Sequence, residues 1–373
     1  MLLNLTVQSL LLSPLWQITM IPVCDRVSEL VRRLPRKMGG LGISSIQQTC
    51  AAAWTASFLS TLPLMKDKAG SLGDIKLFMY KQTISKFIPD FSFASFTQIA
   101  PPSQKVLVAQ IHKSNHEELS QRVQGSVLAG WVKGQTIGGS AWLNCVYYGG
   151  RIGPEYFSEF DFKINLRLRL LISCVPESCP RDLSCYCRGL NRRAKLTEPA
   201  HAFHFLSCKQ INAANILRHD RIVRLLRESI FQSCAGVEDL DVQSHWNAHS
   251  SVVRTPDLVV NIDGTKYFVD VTVRVNGAPT YASLDPDALF HQAELHKKHV
   301  YKNITFDGTY FTFAVDVFGN LSNHAKEFLK LLAPHSSSDN FISLFNRSLS
   351  VLLGQSHSHS FSCFEGQFKN GRR

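Results

Sequence analysis

An aspartate in the middle of an apolar β run narrows most sharply what this chain can fold into. Tyr267-Phe-Val-Asp270-Val-Thr-Val273 is built of aromatic and β-branched residues and reads as a buried strand, yet a carboxylate stands at its centre. An ionised carboxylate taken out of water without a partner is costly, so the fold must bring one to it. Thr255-Pro-Asp257-Leu-Val-Val260 sets a second acid at the start of another apolar strand. Two carboxylates on neighbouring strands can share Mg²⁺ or Mn²⁺, hard ions that take oxygen ligands and keep positions for water and a phosphate oxygen. Asp257 and Asp270 are therefore the candidate metal ligands of a hydrolytic site. A nearby lysine would orient the water and stabilise charge developing on phosphorus.

The surroundings of these acids predict a compact α/β unit over residues 211–335. Its elements are a helix from Ala213 to Phe231, strands at Asp257 to Ile262 and Lys266 to Val273, a helix from Asp287 to Lys302, a strand from Tyr310 to Val317 and a helix from Ser322 to Leu332. Before it, residues 184–210 carry two close ligand pairs, Cys185-Tyr-Cys187 and His204-Phe-Leu-Ser-Cys208. Two such pairs on separate turns suit a structural Zn²⁺, with His201 and His219 as competing ligands and Cys174 and Cys179 as substitutes. Residues 126–183 read as a linker region with a glycine-rich stretch and a short basic helix around Lys163 to Leu171. Residues 1–125 show apolar positions at helical spacing, as in Ile46, Cys50, Ala53, Trp54 and Phe58. Residues 336–373, with Ser336 to Ser338 and His357-Ser-His359, read as a polar, disordered tail whose histidines are solvated. The expected fold is thus mixed: helical first, then a zinc segment, then α/β.

Charge and cysteine usage point the same way. The chain holds 40 basic against 29 acidic residues, a net +11 that favours a polyanionic partner, DNA before all others. Arg192 and Arg193 on the zinc loop and Arg218 and Arg221 on the following helix are the candidate phosphate contacts. Cysteines paired as metal ligands imply a reducing, intracellular compartment. Residues 2–24 are nearly free of charge, but Asn4, Thr6, Gln8, Pro14 and Gln17 interrupt them, so they read as a buried helix pair broken at Pro14 and not as a membrane span.

The acid pair resembles the site of the PD-(D/E)XK nuclease superfamily, with one departure: the position two after Asp270 is Thr272, not lysine. Restriction-like endonucleases of non-LTR retrotransposons carry that lysine on the following helix, and Gln292-Ala-Glu-Leu-His-Lys297-Lys298-His-Val-Tyr301 is similar to that helix. The resemblance makes Lys297 the expected catalytic lysine, with Lys298 as the alternative. Arg218-His-Asp220 resembles the family's opening of the first nuclease helix, and Phe313-Ala-Val-Asp-Val-Phe-Gly319 its closing strand and turn. Glu228 on the first helix is a further candidate metal or water contact, or a solvated helix acid.

Upstream, Leu34-Pro-Arg-Lys-Met-Gly39-Gly40-Leu-Gly42 is similar to a segment that follows the polymerase palm in retrotransposon reverse transcriptases, its glycines permitting a tight backbone approach. The sequence has no Asp-Asp dipeptide to hold polymerase metals, so no polymerase activity is expected. The resemblance implies the C-terminal part of a retroelement polyprotein, acting in the nucleus on target DNA, with element RNA as a second partner. The competing readings are a nucleic-acid-binding remnant without catalysis and a host nuclease of the same superfamily.

Overall fold

The computed structural model describes residues 26–43, 45–65, 85, 103–135, 142–143, 157–175, 184–185, 187, 194–195, 203–240, 255–278, 280–281, 283–302 and 307–369. The chain divides into two compact units, one of Met1–Leu34 with Leu41–Arg122, the other of Pro35–Gly40 with Val123–Arg373. The residue 2–24 run lies outside the described residues.

In the first unit the described elements are helices: α1 (Arg26–Arg33), α2 (Ile46–Met65) and α3 (Gln104–Val123). Ala52 and Leu59 of α2 pack with Leu107 and Ile111 of α3, since small and branched apolar residues one or two turns apart form one stripe on each helix. Arg26 donates through two nitrogens to the Glu118 carboxylate at 3.0 and 2.9 Å, tying α1 to α3.

The second unit contains α4 (Val127–Gly134), α5 (Glu159–Arg169), a two-stranded hairpin β1 (Ser184–Cys185) and β2 (Ala194–Lys195), and a larger α/β layer. It also holds the Gly39-Gly40 turn. Gly39 has φ +88°, and a Cβ there would lie 2.7 Å from the Gln135 carbonyl oxygen, so the close approach requires glycine. Arg169, at the end of the basic helix, is buried and donates to the carbonyls of Arg36 and Gly40 at 3.0 and 3.2 Å.

The α/β layer begins with α6 (Asn212–Ser233) and continues through β3 (Val237–Leu240), β4 (Leu258–Ile262), β5 (Thr265–Arg274), α7 (Pro286–Val300), β6 (Thr309–Asp316), α8 (Asn323–Leu332) and α9 (Phe341–Lys369). The strand order is β3-β4-β5-β6; neighbours are antiparallel except β5 and β6, which are parallel. Asp263 (φ +48°) and Gly264 (φ +79°) make the tight β4–β5 turn, both left-handed as a two-residue hairpin turn prefers. A parallel neighbour needs a long crossover, and α7 supplies it, opened by Asp285, whose carboxylate accepts from the Ala288 N–H at 2.8 Å.

Alternation along the strands sorts the two faces of the sheet. Val269, Val271, Phe313 and Val315 point into a core closed by Ile222, Leu226 and Ile230 of α6, Phe328 of α8 and Phe345 and Leu349 of α9. Truncating a ring such as Phe313 to Ala would cost about 3–5 kcal/mol. The intervening residues, Asp270 among them, face the α7 side, where Phe290 and Ala293 pack on Ala314.

Two expectations are corrected. β3 is an additional strand, antiparallel to β4, which the short and acidic Val237-Glu-Asp-Leu240 concealed. The expected disordered tail is instead the long helix α9: Phe341, Phe345, Leu349 and Leu353 recur at four-residue spacing and are buried, and Ser350, Ser356, Ser358 and Ser360 are small enough to be buried too. His357, expected to be solvated, is buried, with Nδ1 2.8 Å from Asn165 Oδ1 and Nε2 2.8 Å from the Val317 carbonyl. Burial and the nearby Arg218 charge outweigh the pull of the second acceptor and push its pKa down to about 3, so the ring is neutral.

Candidate functional site

The β4–β5 register places the two acids together. Leu258 pairs with Val269, and Asp257, continuing that register, donates its N–H to the Val269 carbonyl at 3.0 Å, so it stands opposite Asp270 on the α7 face of the sheet. Asp257 Oδ2 accepts from the Val271 N–H at 2.7 Å, and no donor reaches its Oδ1 among the described residues. Its side chain keeps 23% of its surface in solvent, whereas that of Asp270 keeps 5%.

Asp270 is held from α7. Lys297 and Tyr301 are four positions apart and therefore share a helical face; the Lys297 ammonium rests on Asp270 Oδ2, and the Tyr301 hydroxyl donates to Oδ1 at 2.9 Å. Burial raises the Asp270 pKa, with Lys297 opposing the rise and Asp257 adding to it. Burial also raises the Tyr301 phenol, which keeps it a hydrogen-bond donor. Lys298, the alternative lysine, is exposed on another face of α7.

A histidine completes the cluster. His219 of α6 lies 3.3 Å from Asp257 Oδ2, 3.1 Å from Asp220 Oδ1 and 3.2 Å from the Val271 carbonyl. The Asp257 carboxylate draws its pKa up to about 9, so the ring is an imidazolium at neutral pH. His219 is thus placed at the carboxylates and not among the cysteines, where it had been a competing ligand. Sequence reading missed this role and that of Tyr301; the Lys297-to-Tyr301 helical spacing was the signal for the second, and nothing local marked the first.

The Cys/His cluster is assembled from three short pieces. β1 and β2 pair Cys185 with Ala194, a 3-10 turn at His204–Leu206 presents the histidine, and Cys208 opens another at Lys209–Ile211. The ligand atoms of Cys185, Cys187, His204 and Cys208 all lie within 4.8 Å of one another. Cys185 Sγ is 3.6 Å from Cys208 Sγ, and Cys187 Sγ is 3.2 Å from His204 Nε2. A tetrahedral zinc with bonds of about 2.3 Å sets its sulfurs about 3.8 Å apart, so this donor set fits a metal ion such as zinc. The sulfur–sulfur hydrogen bond with Cys185, in which either thiol can donate, draws the Cys208 pKa down. Cys174 is buried elsewhere, with Sγ 3.9 Å from the Ile164 carbonyl, while Cys179 and His201 lie outside the described residues.

The arginine expectations divide. Arg218 is corrected: it is buried, both terminal nitrogens donate to the Leu206 carbonyl at 3.3 Å, and burial lowers its pKa to about 10. It ties α6 to the turn that carries His204 and is not free for phosphates. Arg221 is half-buried on α6, Glu228 is solvated there, and Arg192 and Arg193 lie outside the described residues. Among the described residues no helix is long and apolar enough to cross a membrane. No family model matches the chain, and no curated protein does.

Proposed function

We propose that the second unit is a metal-dependent DNA endonuclease of the PD-(D/E)XK type, the nicking module of a retrotransposon polyprotein. The observation that carries this reading is the meeting of Asp257, Asp270 and Lys297 on one face of the sheet, with a buried carboxylate facing a half-exposed one. Such an arrangement is costly to a fold and useful to a phosphodiesterase.

In this reading Asp257 and Asp270 hold Mg²⁺ or Mn²⁺, with Asp257 Oδ1 as the ligand atom that no donor among the described residues claims. The ion, when bound, acidifies a water and neutralises charge on the phosphate. Tyr301 fixes Asp270 through Oδ1, leaving Oδ2 directed at Lys297. Lys297 donates to the attacking water or to a phosphate oxygen as negative charge grows there. Lys297 and the His219 imidazolium offset two of the three carboxylates of Asp257, Asp270 and Asp220, so a bound divalent ion would leave the cluster positive, matched to an anionic phosphodiester. The Cys185, Cys187, His204 and Cys208 set holds structural zinc beside α6. Nicking of one strand leaves a 3′ end for a reverse transcriptase to extend, which places the work in the nucleus, on DNA and with element RNA nearby.

The test is nicking of supercoiled plasmid by the full chain in Mg²⁺, native against Asp270→Asn. Loss of nicking by at least about a hundredfold with DNA binding retained supports the reading. DNA binding without cleavage by the native chain would establish the inactive remnant instead.

A further inference from the structure

Four positions beyond Asp270 on the same face of β5 stands Arg274, which opens onto a cleft unassigned by the nuclease reading. The cleft has a volume of about 430 Å³ and is lined by Arg274, Tyr281, Gln292, Leu295 and His296. Arg274 is half-buried and has no carboxylate partner among the described residues; its Nε is buried without a hydrogen bond. Its Cζ lies 5.8 Å from the centre of the Tyr281 ring, a contact that steadies the charge without using the N–H donors.

The segment that joins Arg274 to Tyr281 is held in place by its own contacts. Asn276 donates to Asp316 at 2.9 Å, and Gly277 lies so close under Trp131 that a Cβ would fall 1.9 Å from the indole ring. Tyr281 is then fixed by successive turns, its N–H donating to Ala278 at 2.8 Å and its carbonyl accepting from Leu284 at 2.9 Å. Gln292 and His296 stand one turn apart on α7, immediately before Lys297, and both are exposed. Among the described residues the lining therefore offers a guanidinium, an amide and an imidazole and includes no acid. Donors of this kind beside an aromatic face suit a phosphate oxyanion on a nucleotide chain.

We propose that this cleft holds a backbone phosphate of the substrate strand, gripped by Arg274 with Gln292 and His296 and flanked by Tyr281. Along β5, Arg274 is about 13 Å from Asp270, a span of a few nucleotides at about 3.4 Å of rise per phosphate. The proposal rests on the nuclease reading and adds to it the residue that registers the strand over the carboxylates.

Arg274→Ala tests it in the full chain, with DNA binding measured as a function of salt and nicking measured in Mg²⁺. The expected result is a KM and Kd for DNA raised about tenfold, a salt-dependence slope smaller by about one, kcat within about twofold and an unchanged Tm. Arg274→Lys recovers the slope but only part of the affinity, because it keeps the charge and loses the fork. An Arg274→Ala chain no weaker in KM, Kd or slope than Arg347→Ala, an exposed arginine on α9, would overturn the proposal, as would a fall in kcat with KM and slope unchanged. A native chain that binds DNA without cutting, while Arg274→Ala still loses affinity and slope, would sink the nuclease reading and leave the phosphate subsite standing.

Discussion

The Cys/His cluster and the carboxylate cluster both gather polar groups in an apolar setting, but they are finished differently. Around Cys208 three sulfurs and one imidazole converge from separate turns, enough donors to close a tetrahedral shell with protein alone. Around Asp270 two carboxylates meet two cations, Lys297 and His219, and among the described residues no donor reaches the second Asp257 oxygen. A closed shell stabilises the chain that forms it; an incomplete one keeps room for a reacting molecule. On the proposed reading, the first cluster is architecture and the second is chemistry.

The largest expected effect breaks the architectural side. Stripping metal with a strong chelator, or Cys208→Ser, should lose bound zinc and unfold the region around β1, β2 and α6, because structural zinc contributes on the order of 10 kcal/mol. Metal analysis with thermal unfolding would show this, and withdrawing Mg²⁺ should leave the same melting curve unmoved.

The next effects sharpen the chemical side. Lys297→Ala should lower kcat for nicking about a hundredfold, whereas Lys298→Ala, on an exposed face, should stay within about threefold, as single-turnover rates would show. Equal losses in the two variants would contradict the placement of Lys297 on Asp270.

His357, which belongs to neither cluster, offers a smaller effect. Its folded pKa of about 3 lies below the ordinary 6.5, so its contribution is fully present above pH 6.5 and is lost as pH falls towards 3. At pH 5 that loss is about 2 kcal/mol, and unfolding of His357→Gln should lack this part of the pH dependence. Smallest of all, Tyr301→Phe should slow nicking about threefold to tenfold with the fold intact, since it removes one hydrogen bond to Asp270 and keeps the ring.

The local patterns were legible where one element decides them. The strand around Asp270, the α7 helix and the Cys/His spacing each follow from residues close in sequence, and the β4–β5 pairing that brings Asp257 beside Asp270 follows from two apolar runs joined by Asp263-Gly264. Long-range partners were not legible. His219 reaches Asp257 from α6, and Arg218, one residue earlier, turns inward to Leu206; nothing in Arg218-His219 says which side chain faces the acids. The α9 helix was hidden for a different reason. Its serines and histidines suggest solvent, but the Phe341, Phe345, Leu349 and Leu353 stripe decides its fate, and a serine is buried at low cost where it bonds within its own helix, as Ser356 does to the Leu352 carbonyl at 2.8 Å and Ser358 to the Gly354 carbonyl at 3.3 Å.

The most direct test of the division between the two clusters is a calorimetric Mn²⁺ titration of zinc-loaded protein, native against Asp270→Asn and Asp257→Asn, with zinc content measured in each. The account predicts a Mn²⁺ site in the native chain that both substitutions abolish while zinc stays bound. Mn²⁺ binding that survives both substitutions, or disappears only when zinc is lost, would contradict it.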